Sequence, residues 1–293
     1  MNLDPSRRLG RRLARGLASV LLLAALGYGA ALAALYVRQE ALLFHPEPLA
    51  ADFQFRFDPA QAYREVRVPV PGGEIHALHF RQPAPRGLVF FLHGNAGNLE
   101  SWTENVDYYR RINYDLFILD YRGFGKSTGT IDSEAQLHAD VRAAWDTVAP
   151  DYAGRPIIVY GRSLGTGLAA RLARAVQPDL LVLVSPYTSL AALALERYPF
   201  VPRALLKYPM ETDALISEVR SPILIAHGLA DTLIPPGHGR ALAARARSPV
   251  ELLEVPGAGH GDIHRFPAYL EGLAQRVGAL GQPAALARSA AGG

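Results

Sequence analysis

The chain has no cysteine, which removes disulfides, thiolate zinc sites and a cysteine nucleophile together. A cysteine-free composition fits an exported protein without showing export. Charge is also sparse: 19% of residues are charged against 49% hydrophobic, a globular balance on the apolar side whose excess needs a location. A broad basic face is missing as well. The 293 residues sum to +3, yet Arg7, Arg8, Arg11, Arg12 and Arg15 against Asp4 place +4 in the first fifteen, so the other 278 carry −1. A near-neutral body offers no surface for phosphates, which argues against nucleic acid as a partner. No G-x-G-x-x-G follows the first strand with an acid some twenty residues on, so dinucleotide binding is excluded too. The length supports one large packed domain, which excludes a disordered chain.

The surplus apolarity lies at the N-terminus. Residues 17–37, LASVLLLAALGYGAALAALYV, form a run of twenty-one without a charge. As a helix rising about 1.5 Å per residue they span roughly 30 Å, the thickness of a bilayer's hydrocarbon core. The reading is a transmembrane helix; the competing one is a cleavable signal peptide, for which Ala31-Leu32-Ala33 would be the small-residue site. Five arginines precede the span and only Arg38 and Glu40 flank its far end, so the positive-inside rule leaves residues 1–16 cytoplasmic and the rest of the chain outside. A linker is expected over 38–64, and a tail rich in Ala, Gly and Ser over 281–293.

The body, 65–280, alternates strand and helix. EVRVPV (65–70) and EIHALHF (74–80) flank Pro71-Gly72-Gly73, a hairpin signal. The runs 87–92, 114–119, 156–160, 180–184, 222–226 and 250–255 are continuously apolar, as parallel strands buried on both faces are. Helical spacing fills 101–112, 133–148, 164–176, 238–247 and 266–280. The expectation is a single α/β domain on a mostly parallel, doubly wound sheet.

Functional residues in such sheets collect at the carboxyl ends of strands. After 156–160 comes Gly161-Arg162-Ser163-Leu164-Gly165, a G-x-S-x-G between strand and helix, which makes Ser163 the candidate nucleophile. A serine needs a base, and the base needs a partner to fix its tautomer. Asp231 follows the 222–226 run in HGLADTLIP and His260 follows the 250–255 run in PGAGHG, giving the chain order serine, acid, histidine. Asp262 sits too close along the chain to face the His260 ring, His264 opens the last helix, and His227 is read as shaping the Asp231 loop. An oxyanion hole needs two preorganised N–H groups. Leu164 supplies one at the helix N-terminus; the loop His93-Gly94-Asn95-Ala96-Gly97-Asn98 supplies the other, with Asn95 first and Ala96 second. Residues 191–210 are dense in apolar and aromatic side chains but interrupted by Pro199, Pro202 and Pro209, which favours a flap over a continuous helix. Tyr187, Phe200 and Leu206 are the candidate substrate contacts.

With these motifs in place the chain resembles the serine hydrolases of the α/β-hydrolase superfamily. HGNAGN, DYRGFGKSTG (120–129), GRSLG, SPYTSL (185–190), HGLADTLIP and GAGH match in order across roughly 65–280. The likeness is greatest to a membrane-anchored branch with lysophospholipase-like and protein-depalmitoylase-like enzymes. It implies hydrolysis of small-molecule or lipid acyl esters or thioesters, with no metal or cofactor, and a structural role for 120–129. The chain departs from eukaryotic depalmitoylases of that branch in lacking their N-terminal cysteine cluster. A serine peptidase or aminopeptidase of the same fold, and a non-catalytic scaffold, are the alternatives. Only about thirty residues separate Ser189 from Ser221, too few for a cap domain, and no triad residue is missing.

Overall fold

A computed structural model describes residues 5–104 and 106–280; the expected tail at 281–293 and the first four residues lie outside the described residues. In chain order the elements are α1 (Pro5–Val37), α2 (Gln39–Leu43), β1 (His45–Pro46), β2 (Tyr63–Val70), β3 (Gly73–Phe80), β4 (Leu88–Leu92), β5 (Ala96–Gly97), α3 (Leu99–Trp102) and α4 (Val106–Arg111). Then come β6 (Asp115–Leu119), α5 (Glu134–Val148), β7 (Ile157–Arg162), α6 (Gly165–Val176), β8 (Leu180–Val184), α7 (Leu190–Arg197) and α8 (Thr212–Leu215). The series ends with β9 (Ile223–Gly228), α9 (Gly237–Arg245), β10 (Val250–Val255) and α10 (Pro267–Gly278).

Eight strands form one sheet in the order β10-β9-β8-β7-β4-β6-β3-β2. From β6 through β10 every pairing is parallel, while β3 joins β6 and β2 joins β3 antiparallel. The continuous apolar runs have their cause here, because β4, β6, β8 and β9 are buried along their whole length. Their side chains alternate between two cores: Leu88, Phe90 and Leu92 pack with α5, α6 and α9, whereas Val89 and Phe91 pack with α4 and α10. Local chemistry sets the helix ends. Ser133 caps α5 by accepting the Gln136 amide at 3.1 Å, and Gln177 closes α6 in the left-handed region at φ 48°.

Two expectations need correction. The helical spacing read over 101–112 resolves into two short helices, α3 and α4. Asn98 fixes the start of α3 by accepting from the Glu100 amide, while its own backbone N–H and carbonyl engage the Ser101 hydroxyl. The stretch 38–64 is not a bare linker, because it packs against the body: Gln39, Phe44 and Phe55 are buried, and β1 pairs in parallel with β5. By contrast, α1 is not buried against the body and touches it at its C-terminal half, where Tyr28 donates to the Phe200 carbonyl and Lys207 lies over the Tyr36 ring. Within Arg11–Val37 an 18-residue window reaches a mean hydropathy of 2.1 with none of it buried, so the helix is long and apolar enough to cross a membrane by length and composition.

The 120–129 loop is pinned by a buried ion pair. Arg122 meets Asp140 of α5 in a fork, Nε to Oδ2 at 2.6 Å and Nη2 to Oδ1 at 2.8 Å, and also donates to the Pro71 carbonyl at 2.9 Å. Both side chains are under 5% exposed. Removing one partner of such a pair leaves an uncompensated buried charge, which costs more than the intact pair contributes. Asp140→Ala is expected to lower unfolding free energy by about 3–5 kcal/mol in urea titrations, with the N-terminal helix retained in detergent. A change under 1 kcal/mol would show that water reaches Arg122.

Candidate active site

Ser163 sits in the turn between β7 and α6 with φ 53°, a left-handed conformation that a side-chain-bearing residue adopts at a cost. The flanking glycines permit it. A Cβ on Gly165 would overlap the Leu92 carbonyl oxygen, and one on Gly161 would press to 2.7 Å from the Ala169 Cβ. The turn is therefore jammed against the carboxyl end of β4 and the first turn of α6. Ser163 N–H bonds the Val184 carbonyl of β8 at 2.9 Å, and its own carbonyl takes the Thr166 amide and hydroxyl. The hydroxyl is left pointing out of the turn.

His260 and Asp231 meet it from the ends of the neighbouring strands. Ser163 Oγ lies 2.9 Å from His260 Nε2, and His260 Nδ1 lies 2.8 Å from Asp231 Oδ2. A carboxylate can only accept, so Nδ1 carries the proton and Nε2 is the acceptor for the serine hydroxyl. Asp231 is buried and its Oδ1 accepts the amides of Leu233 (3.0 Å) and Ile234 (2.8 Å). Burial acts to raise its pKa, but hydrogen bonds from His227, His260 and the Ile234 amide outweigh it and hold the carboxyl well below the usual range. The group is thus held as a carboxylate down to unusually low pH.

The competitors each have other contacts, and His264 lies in a short 3₁₀ turn ahead of α10 rather than at the start of that helix. His227 donates to the Ile234 carbonyl at 2.9 Å and braces the Asp231 loop. Asp262 accepts the Gly259 amide at 2.7 Å and shapes the turn carrying His260. His264 lines a separate aromatic cleft with Trp102, Tyr160 and Tyr269.

Leu164 follows the nucleophile at the N-terminus of α6, where amides are unpaired by geometry. Asn95 lies in the loop after β4. Among the described residues neither amide N–H has a hydrogen-bond partner, so both are free to donate. Gly94 keeps that loop close to the turn: a Cβ there would lie 3.6 Å from the Ser163 Cβ and 2.9 Å from the Trp102 ring.

The substrate residues divide. Tyr187 is corrected: it is fully buried beneath α6, its hydroxyl donates to the Leu164 carbonyl at 2.8 Å, and no Cβ fits at Gly167 beside it. It braces the nucleophile helix from below. Phe200 is 63% exposed at the tip of the segment after α7, and Leu206 is half-buried further along it. Residues 190–197 are helical, and after Arg197 the segment runs irregularly with one short 3₁₀ turn at Arg203–Leu205. One residue escaped the sequence reading. Arg162, the variable position of G-x-S-x-G, donates to the carbonyls of Gly261 (3.0 Å) and His260 (3.3 Å) and lies over the Trp102 ring. It thereby ties the histidine loop to the nucleophile turn, and the pentapeptide pattern carries no signal for it.

This strand order with a nucleophile-type turn after the central strand β7 defines the α/β-hydrolase class, and the comparisons agree. A family model described as serine aminopeptidase, S33, matches residues 83–209. The chain is 36% identical over 210 residues to alpha/beta hydrolase domain-containing protein 17B of Homo sapiens, covering 70% of this chain and 72% of that protein. Its identity to the Xenopus laevis 17B protein is 37% over 198 residues, 67% of each. An esterase from Pyrococcus furiosus superposes with a TM-score of 0.64 at 20% identity, over 80% of this chain and 96% of that one, which speaks to the fold alone. The chain belongs to the α/β-hydrolase-domain-containing family, in which it is similar to the 17B proteins.

Asp231→Asn separates the roles at the site. It keeps the shape but disturbs the histidine tautomer, and kcat is expected to fall by about 10⁴-fold with the fold retained. Because the native pKa of Asp231 is depressed, its contribution to stability is present above the ordinary carboxylate value of 3.8 and lost as pH falls below it. The stability gap between wild type and Asp231→Asn, measured by denaturant titration, therefore closes on acidification through that range. A gap that widens there would contradict the assignment.

Proposed function

We propose that this protein is a membrane-anchored serine hydrolase that cleaves acyl esters or thioesters through an acyl-enzyme. The observation that carries the reading is the unbroken hydrogen-bonded chain from Ser163 Oγ through His260 to the buried Asp231, set on a left-handed turn. In this reading Ser163 Oγ attacks the acyl carbon while His260 Nε2 takes its proton, and Asp231 stabilises the resulting imidazolium. The carbonyl oxygen becomes an oxyanion facing the Leu164 and Asn95 amides. Collapse expels the alcohol or thiol, which receives the proton from His260; a water then repeats the sequence on the acyl-enzyme and frees the acid. No step draws on a metal or a cofactor.

The surroundings of Ser163 support a medium or long acyl chain. Tyr198, Phe200, Leu229 and Leu233 are exposed on the flap and on the Asp231 loop, which Arg197 links by donating to the Thr232 and Leu233 carbonyls. Tyr28 of α1 donates to the Phe200 carbonyl at 2.6 Å, so the flap lies beside the apolar helix. With residues 1–16 in the cytoplasm, the catalytic domain is outside it, and a domain tethered to a bilayer meets lipid esters at high local concentration. A peptidase is the second reading, favoured by the description of the matching family model.

Two measurements test this. A fluorophosphonate probe should label the wild type and leave Ser163→Ala unlabelled; equal labelling places the nucleophile elsewhere. Across p-nitrophenyl esters, kcat/KM should rise from acetyl to octanoyl, each sheltered methylene contributing about 0.8 kcal/mol or close to fourfold. Phe200→Ala and Leu206→Ala should flatten that rise while sparing the acetyl ester. A flat wild-type profile removes the lipid reading, and faster turnover of aminoacyl amides than of any ester favours the peptidase.

A further inference from the structure

The stretch that joins the apolar helix to β2 touches three segments: the flap, the loop after β4 that lies beside the Ser163 turn, and the 120–129 loop. At its start the Gln39 side chain bridges two positions of the flap backbone, donating to the Leu205 carbonyl at 2.7 Å and accepting the Lys207 amide at 2.9 Å. Glu40 adds a salt bridge to Lys207 Nζ at 3.0 Å and accepts the Tyr208 hydroxyl at 3.0 Å. Phe44 then buries itself edge-on against Tyr208. At its end, Glu47 donates to the Gly97 carbonyl, and its own carbonyl takes the Asn98 side chain and the Gly125 amide.

Between these two anchorages lies the contact that bears on chemistry. Asn95 Nδ2 donates to the Leu43 carbonyl at 2.8 Å, and the Asn95 carbonyl accepts the His45 amide at 2.8 Å. One residue is thus held through its side chain and its carbonyl by two alternate residues of the same passing segment, Leu43 at the end of α2 and His45 at the start of β1. These two bonds fix the Asn95 side chain and its carbonyl, and the preceding peptide plane, which carries the unpaired Asn95 N–H, is held through the Gly94 carbonyl, 2.7 Å from His93 Nδ1. With both sides of Asn95 held, its N–H has little freedom left to turn.

We propose that residues 39–49 are a strap that completes the oxyanion hole, and that Asn95 is its positioning residue: the side chain grips the strap so that the backbone N–H is preorganised for the transition state. This rests on the serine-hydrolase reading above. Preorganised donors contribute because they cost no reorganisation when charge develops. A strap that starts two residues after Val37 makes the geometry of the hole depend on the segment next to the membrane helix. The strap adds to the supports the loop already has from its own neighbourhood, the His93 ring at the Gly94 carbonyl and the Trp102 indole at the Ala96 carbonyl.

The experiment uses the full chain in detergent micelles, with p-nitrophenyl butyrate as substrate and butylboronic acid as a mimic of the tetrahedral intermediate. Asn95→Ala removes the grip from the loop side. His45→Pro removes the N–H from the strap side without touching the loop, and Phe44, already extended at φ −109° and ψ 130°, tolerates a following proline. Deleting an oxyanion donor outright costs about 10²–10³-fold, so loosening one is expected to cost about tenfold or more. Both variants should lose kcat to that extent, with KM changed less than twofold and the boronate inhibition constant weakened in proportion. A merely structural role would lower Tm and active fraction while leaving kcat per labelled serine and the boronate constant as in the wild type, and that result overturns the strap. Wild-type kcat in both variants overturns it as well. If Asn95→Ala fails to fold, His45→Pro decides. Failure of the wild type to label with fluorophosphonate would instead remove the serine-hydrolase reading itself.

Discussion

The site depends on one close approach: the turn after β7 lies so near the end of β4 that position 165 has no room for a Cβ beside the Leu92 carbonyl. That contact forces Ser163 into the left-handed region, and the left-handed turn is what aims the hydroxyl away from the sheet. Two interactions from other elements hold the strain in place. Val184 of β8 accepts the Ser163 amide, and Tyr187 supports α6 from beneath through the Leu164 carbonyl. Strained turns persist only where their surroundings over-determine them, and here the sheet, the helix and a buried tyrosine do so together.

How much of this was legible in the sequence varies with the range of the cause. Strands buried on both faces betray themselves as unbroken apolar runs, so β4, β6, β8 and β9 were readable from their residues alone. The nucleophile turn, the Asp231 loop and the His260 loop were readable because chemistry collects at strand ends, and the structure brings all three together within hydrogen-bonding distance. What failed was side-chain direction. Tyr187 stands two residues beyond the start of SPYTSL, near enough to the site to pass for a substrate contact, yet its ring points under α6. The stretch 38–64 failed for a different reason: its partners lie 50 to 170 residues away, as in Asn95 with Leu43 and Gln39 with Leu205, and no local pattern encodes such pairings.

The same distinction explains Arg162. A charged residue inside G-x-S-x-G looks incidental, because the pattern constrains only the serine and the glycines. Its guanidinium nevertheless reaches two carbonyls of the loop that carries His260 and lies on the Trp102 ring. A planar guanidinium suits this arrangement, with the two N–H groups of Nη2 shared between the carbonyls and a face for the indole. Nucleophile turn, histidine loop and the α3 tryptophan are thereby joined through a side chain outside the hydrogen-bonded triad.

Long-range charge has little part in such a site. The body of the chain is close to neutral, so no large field steers a substrate toward Ser163 or stabilises an anion from afar. The electrostatics are short-range: one carboxylate sealed against two amides and two histidines, the amide end of α6, and a loop amide after β4. Short-range dipoles act only when their positions are fixed to within fractions of an ångström. A neutral α/β hydrolase therefore has to invest in packing around its loops, which is where its flanking glycines, its buried Tyr187 and the stretch after its apolar helix are found.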